Sequence, residues 1–252
     1  MATKLPLPQA KPEEVWMFSE RLARLRPAMQ RFIDEEQVPN FATLVAREGK
    51  IVYFEAQGYA DCERKKPVTK DTIFRLYSNT KPITGVAAMI LCEEGLLNLN
   101  DPVSKYIPAF KNPLVVTPTR NRLGPPDISN TLPASREITI RDYLANTTGL
   151  ATFRKAPHWM ISKFKKYIDE SGWDITVSLD TPPRTSYRER VEAHAHIPLC
   201  AEPGTEYEYH VGYPVIGVII ETITGKTLEE FFQERIFQPL GMNDTSFYLE
   251  KS

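Results

Sequence analysis

The chain has 252 residues, and 31 lysines and arginines against 32 aspartates and glutamates leave a net charge of −1. That balance carries no electrostatic footprint for nucleic acid or an anionic membrane surface, so neither partner is expected. With 42% apolar and 25% charged residues, a chain of this length hides about 70–75% of its unfolded surface, ample for a folded core.

The 21 prolines predict stiff connections rather than disorder, because apolar residues remain plentiful. Cys62, Cys92 and Cys200 form no C-x-x-C pair and leave an odd count. This argues against a disulfide framework or a structural zinc site and for a reducing compartment. Residues 1–16 hold no apolar stretch of the kind a secretory leader needs. The longest apolar runs, such as 86–92, fall short of the ~18 residues of a spanning helix. A cytoplasmic location is the resulting expectation.

In chain order, Val15, Phe18, Leu22, Leu25, Met29 and Phe32 recur at spacings of three and four, the stripe of one helical face. Pro27 is expected to kink that helix. Residues 41–47 and 51–59 are β-rich runs around Glu48-Gly49-Lys50 and read as an antiparallel hairpin. Ile83, Val86, Ala87, Ile90 and Leu91 then mark an amphipathic helix that stops near Gly95. Seven prolines in the 32 residues from Pro102 to Pro133 predict a semirigid surface excursion without secondary structure. Residues 138–150 resume as a short helix ending near Gly149, whereas 151–200 give only weak helical signals. Residues 213–224 form another helix closed by Gly225, and 228–236 begin the next. Helix, hairpin, then a long mostly helical run indicate a mixed α+β architecture.

The chemistry concentrates in Ser78-Asn79-Thr80-Lys81, at the start of the helix over 81–95. Residues i and i+3 lie side by side on a helix, so Lys81 is expected beside the Ser78 hydroxyl. A serine becomes an effective nucleophile when a neighbour accepts its proton, and a lysine can do so if burial disfavours its ammonium form. Pro82 suits a first helical turn, whose free N–H groups point toward a developing oxyanion. Elsewhere, His194 and His196 stand two apart without a Glu or Cys cluster. They read as a surface pair rather than metal ligands. No G-x-S-x-G elbow, Walker loop or G-x-G-x-x-G occurs, against an α/β-hydrolase, a P-loop enzyme and a Rossmann dehydrogenase.

The segment from Asp71 to Thr84, DTIFRLYSNTKPIT, resembles the nucleophile segment of serine β-lactamase-related hydrolases, closest to the class C-like branch with the family VIII carboxylesterases. NDPVSKYIP over 100–108, ITIRDYLANTTGL over 138–150 and PLGMNDT over 239–245 resemble further family stretches in the same order. The resemblance implies a β-lactamase/penicillin-binding-protein-like fold with the site in a cleft. Residues 1–76 would be the N-terminal helix and hairpin of an α/β domain, and 77–224 a mainly helical domain. Residues 225–252 would return to the α/β domain. The family's second motif begins with tyrosine, which falls here on Tyr209, with Tyr207 a rival two residues away.

By resemblance, Ser78, Lys81 and Tyr209 are the catalytic candidates, and Tyr77, His210 and Val211 the candidates for substrate contact. Lactamases carry asparagine where Val211 stands, an amide that would hydrogen-bond a β-lactam side chain. Valine cannot, which shifts the expectation to short-chain carboxylic esters cleaved through a covalent acyl-enzyme. That chemistry needs no metal or organic cofactor. β-Lactam hydrolysis, acyl transfer to an alcohol, and a non-catalytic relative that binds through the same cleft stay open.

The family's third motif, Lys-Thr-Gly, His-x-Gly or Trp-x-Gly on a late strand, is not found in these residues. That strand would supply a second oxyanion N–H and the neighbours of the hairpin, whose edges would otherwise need cover. The expectation is therefore a portion of a longer polypeptide or a truncated relative. The expected partners are a small-molecule ester and a companion C-terminal segment that completes the fold.

Overall fold

The computed structural model describes residues 7–116, 131–150, 186–209 and 212–248. The chain divides into two compact units, Met1–Leu76 with Leu240–Asp244, and Tyr77–Pro239 with Thr245–Ser252.

The first unit is built on the expected hairpin. Strands β1 (Asn40–Arg47) and β2 (Lys50–Asp61) run antiparallel, with Arg47 opposite Lys50. Glu48 and Gly49 form the two-residue turn at φ 51° and 70°, the primed geometry whose twist matches that of the flanking strands. The short β3 (Lys66–Pro67) pairs with β2, giving the order β1-β2-β3. Among the described residues, β1 therefore has a strand partner on one side only.

The apolar stripe before the hairpin does not form one helix. It breaks into a 3₁₀ turn (Pro12–Val15), α1 (Ser19–Leu22) and α2 (Leu25–Asp34). Trp16 stops the first piece by taking left-handed backbone, φ 58°. Pro27 lies in the first turn of α2, where its missing N–H would have no intrahelical partner anyway, so it helps start a helix instead of kinking one. Helix α2 packs on β2 through the buried Gln57. Its amide donates to the Arg26 carbonyl and to Gln30 Oε1, each at 3.0 Å.

The second unit contains α3 (Thr80–Glu93), β4 (Leu114–Val116), β5 (Thr131–Pro133), α4 (Ile140–Ala145), α5 (Tyr187–His194), α6 (Tyr213–Thr224) and α7 (Leu228–Phe232). Helix α6 buries Val215, Ile216, Val218, Ile219 and Ile220. A helix apolar on every side must be surrounded, and α3, α4, α5 and α7 all pack on it. Gly225 closes it at φ 67°. Helix α7 opens with a reciprocal Thr227–Glu230 cap and continues through a π-helical turn (Gln233–Phe237) into Gln238–Leu240, beyond the expected 236.

Two expectations are corrected in this unit, and a third is filled in where residues are described. The proline-rich stretch is not without secondary structure. It holds 3₁₀ turns at Val103–Lys105 and Pro108–Phe110, and β4 and β5 pair antiparallel with Pro133 at the strand end, opposite Leu114. Helix α4 stops at Asn146, in left-handed backbone at φ 57°, before reaching Gly149. Gly149 (φ 82°) lies where the Ala201 carbonyl comes too close for any Cβ, and its own carbonyl accepts the Cys200 N–H at 2.8 Å. The weakly helical region holds α5, opened by a Ser186–Glu189 capping box. No described helix is long and apolar enough to cross a membrane.

Candidate active site

The site grows from the N-terminal end of α3. A 3₁₀ turn (Tyr77–Asn79) leads into the helix, which places Ser78 just ahead of it and Lys81 in its first turn. The buried face of α3 runs through Thr84, Ala87, Ala88 and Leu91, and Lys81 continues that line at i−3 from Thr84. Its side chain is accordingly half-buried, while Val86, expected on the buried face, turns outward. The Lys81 ammonium donates to Ser78 Oγ at 3.1 Å. Ser78 itself is exposed.

Tyr209 reaches the same oxygen from 131 residues away, its phenol donating to Ser78 Oγ at 2.8 Å. The loop before it is hydrogen-bonded to the end of α4: the Gly204 N–H donates to the Thr147 carbonyl at 2.7 Å, and the Glu208 N–H to the Asn146 carbonyl at 2.9 Å. These bonds set the register, so Tyr209 lies at Ser78, while Tyr207 is largely exposed. Tyr213, in the first turn of α6, donates its hydroxyl to the Leu144 carbonyl at 3.3 Å. Lys81 Nζ lies 4.8 Å from the Tyr209 ring centroid and 5.8 Å from that of Tyr213, two aromatic faces that favour a cation between them.

The hydrogen bond from Lys81, then that with Ser78, hold the Tyr209 phenol below its ordinary range. Both outweigh the opposing effect of burial. Tyr213 is pushed the other way, by burial first and then by the neighbouring phenols. Two tyrosines on either side of one ammonium thus differ in ease of ionisation, and the easier one touches the serine. From the sequence, Lys81 and Tyr209 are expected to share the role of general base, and both side chains meet Ser78 Oγ.

Tyr77, a candidate for substrate contact, precedes Ser78, is strongly exposed, and takes left-handed backbone at φ 44°. For a bulky residue that conformation costs about 1–3 kcal/mol, and such strain concentrates at functional sites. His210 and Val211 lie outside the described residues. The two histidines read as a surface pair do not share an environment. His194, at the end of α5, is buried, while His196 is exposed. Tyr213 is the member of the cluster that sequence reasoning missed; its signal is a second tyrosine shortly after the motif tyrosine, at the start of the next apolar run.

The chain matches the family model described as beta-lactamase over residues 25–252. Among curated proteins it is 32% identical to Esterase EstB of Burkholderia gladioli over 225 residues, which is 89% of this chain and 51% of that protein. Among solved structures it superposes on EstCE1, described as a hydrolase with promiscuous acyltransferase activity. The TM-score is 0.71 at 30% identity, over 88% of this chain and 52% of that one. A penicillin-binding protein homologue from Pyrococcus abyssi gives a TM-score of 0.63 at 25% identity, over 88% of this chain and 43% of that one. The chain spans about half the length of these relatives. Its fold is the mixed α+β fold of β-lactamases and penicillin-binding proteins.

Proposed function

The chain belongs to the beta-lactamase family, and from that premise we propose that it is a serine hydrolase acting on short-chain carboxylic esters through an acyl-enzyme. One observation carries the reading: an ammonium and a phenol of lowered pKa converge on the oxygen of a single serine at the start of a helix.

With Tyr209 as phenolate, the Ser78 Oγ–H proton passes to the phenol oxygen as Oγ attacks the ester carbonyl. Lys81 stays an ammonium and stabilises the phenolate before transfer. The Ser78 N–H, ahead of α3, holds the developing oxyanion. Collapse of the tetrahedral adduct breaks the ester C–O bond, and Tyr209 returns the proton to the departing alkoxide. A water then gives its proton to the Tyr209 phenolate and attacks the acyl carbon. Release of the acid restores the proton to Ser78.

Val211, where lactamases carry asparagine, supports esters over β-lactams, as does the description of EstB as an esterase. A stoichiometric probe of the nucleophile is the fitting test. Fluorophosphonate labelling read by intact mass should give one adduct that Ser78→Ala abolishes, and a butyrate ester should be hydrolysed faster than a chromogenic cephalosporin. A protein that takes no adduct is not an acyl enzyme, and the non-catalytic binding reading then replaces this one.

The description of EstCE1 favours one second reading, acyl transfer to an alcohol. Ser78 and Tyr209 are both exposed, so an alcohol can approach the acyl carbon as water does. Adding a primary alcohol to the ester assay separates the two, since transfer yields a new ester and hydrolysis only the free acid.

A further inference from the structure

Asp142, in the first turn of α4, is a buried carboxylate that the proposed mechanism does not use. Its two oxygens accept a forked pair of bonds from Arg136, at 2.6 and 2.9 Å. They also accept the Thr139 N–H at 2.9 Å, the Thr139 hydroxyl at 2.7 Å and the Thr147 hydroxyl at 3.3 Å. Its backbone carbonyl accepts the Thr147 N–H at 2.8 Å. One residue thus ties together the strand end before α4, the helix cap and the backbone just after the helix.

The stretches before and after α4 also hold the loop over 202–208. Ser135, next to Arg136, donates its N–H and its hydroxyl to Glu202 Oε2 at 2.9 and 2.8 Å. The Arg136 guanidinium lies against Gly204, at φ 87°, where any Cβ would collide with it. Thr147 and Asn146 accept the Gly204 and Glu208 N–H groups. Tyr209 is the next residue. We propose that Asp142, with Arg136 and the Ser135–Glu202 tie, is a positioning residue for Tyr209, fixing the loop so that the phenol meets both Ser78 and Lys81. The proposal rests on the reading of Tyr209 as the base, and its structural part can be measured without catalysis.

Among the described residues, Lys81 and Ser78 at the start of α3 meet the Tyr209 phenol, Tyr213 from α6 feels its charge together with that of Tyr207, and Glu206 and Glu208 precede it on its own loop. If the loop loosens, the phenol leaves the ammonium and its ionisation moves up. The test is a spectroscopic titration of phenolate absorbance in the full chain, with Tyr209→Phe identifying the Tyr209 step. Fluorophosphonate labelling rates at Ser78 are followed alongside.

In the wild type the Tyr209 step is expected below the ordinary tyrosine range. In Asp142→Asn and in Glu202→Ala it should move up, with labelling slowed about 10²-fold, the scale of an ångström-sized misplacement. Should Asp142→Asn fail to fold, Glu202→Ala decides alone, since it cuts a surface tie and leaves the α4 cap intact. A Tyr209 step that stays in place in folded Glu202→Ala, or no low step in the wild type, overturns the positioning proposal. A low step that moves as expected in a protein whose Ser78 takes no adduct upholds the positioning and overturns the hydrolase reading instead.

Discussion

Ser78 Oγ accepts two hydrogen bonds and still has one proton to give. In the proposed mechanism Tyr209 accepts it, and its surroundings favour its charged form, so the labelling rate should climb with pH as the phenol ionises, in a window below the ordinary ~10. Lys81→Met removes the cation that favours the phenolate, and the climb should then shift to higher pH. Tyr209→Phe should slow labelling at neutral pH by about 10²–10⁴, the usual contribution of a general base. Rates of Ser78 adduct formation across a pH series check both predictions. An unshifted profile in Lys81→Met would mean that Lys81 does not govern the ionisation. Ser78 and Lys81 are legible from the sequence because their relation is local, three residues apart across one helix start. Tyr209 is not legible in that way. Tyr207 offers the same side chain two residues away, and what separates them is a pair of hydrogen bonds to residues 146 and 147, contacts that no local pattern encodes.

The short helices stand on their caps. Thr139 with Asp142, Ser186 with Glu189 and Thr227 with Glu230 each close a reciprocal box. For Asp142, burial alone would raise the carboxyl, but the Arg136 fork and the Thr139 donors outweigh it and hold the carboxyl below its usual range. An unfolded aspartate titrates near ~3.9. The native state therefore binds the proton less readily than the unfolded chain. The stabilisation is fully present above that value and disappears as pH falls through the folded one. Thermal melts from neutral pH downward should show the midpoint dropping on acidification. Asp142→Asn should flatten that acid limb while lowering the midpoint at neutral pH. The loss is about 3 kcal/mol, the low end for a broken buried pair, because Arg136 is half-exposed.

Gly149→Ala should also destabilise, since the Ala201 carbonyl occupies the space of a Cβ and the φ is left-handed. Urea midpoints compared with Gly95→Ala, which has the same handedness but open space, isolate the steric part. Gly149 reads as a helix stop because glycine is the commonest residue there, whereas Asn146 takes that role and Gly149 serves a close approach from 52 residues later. The box at Ser186 is a local signal that could have located α5. The β4–β5 pairing could not have been read so easily, as prolines around it mask a short strand.

At the scale of the molecule, the hairpin register and the run of α3, α6 and α7 follow from periodicity and turn chemistry, which is why those elements stand close to where the sequence puts them. What periodicity does not carry is which helix is central; α6 announces itself only by being apolar on every side. Near-neutral charge gives little repulsion between copies. Among the described residues β1 pairs on one side only and exposes Leu44, and open apolar edges invite pairing between chains. Leu44→Lys should therefore reduce concentration-dependent association in light scattering, with the far-ultraviolet spectrum unchanged; equal scattering would mean that this edge is not the contact.

The bond from the Cys200 N–H to the Gly149 carbonyl has a consequence for how such a protein can change. It joins the backbone just past α4 to the backbone just before the loop over 202–208. The anchoring of Tyr209, on residues 135–147 and 202–208, begins where those two stretches meet. The register that brings the phenol to Ser78 is thereby closed at its base by a single backbone bond, and a substitution that opens this bond should reach the serine through the tyrosine.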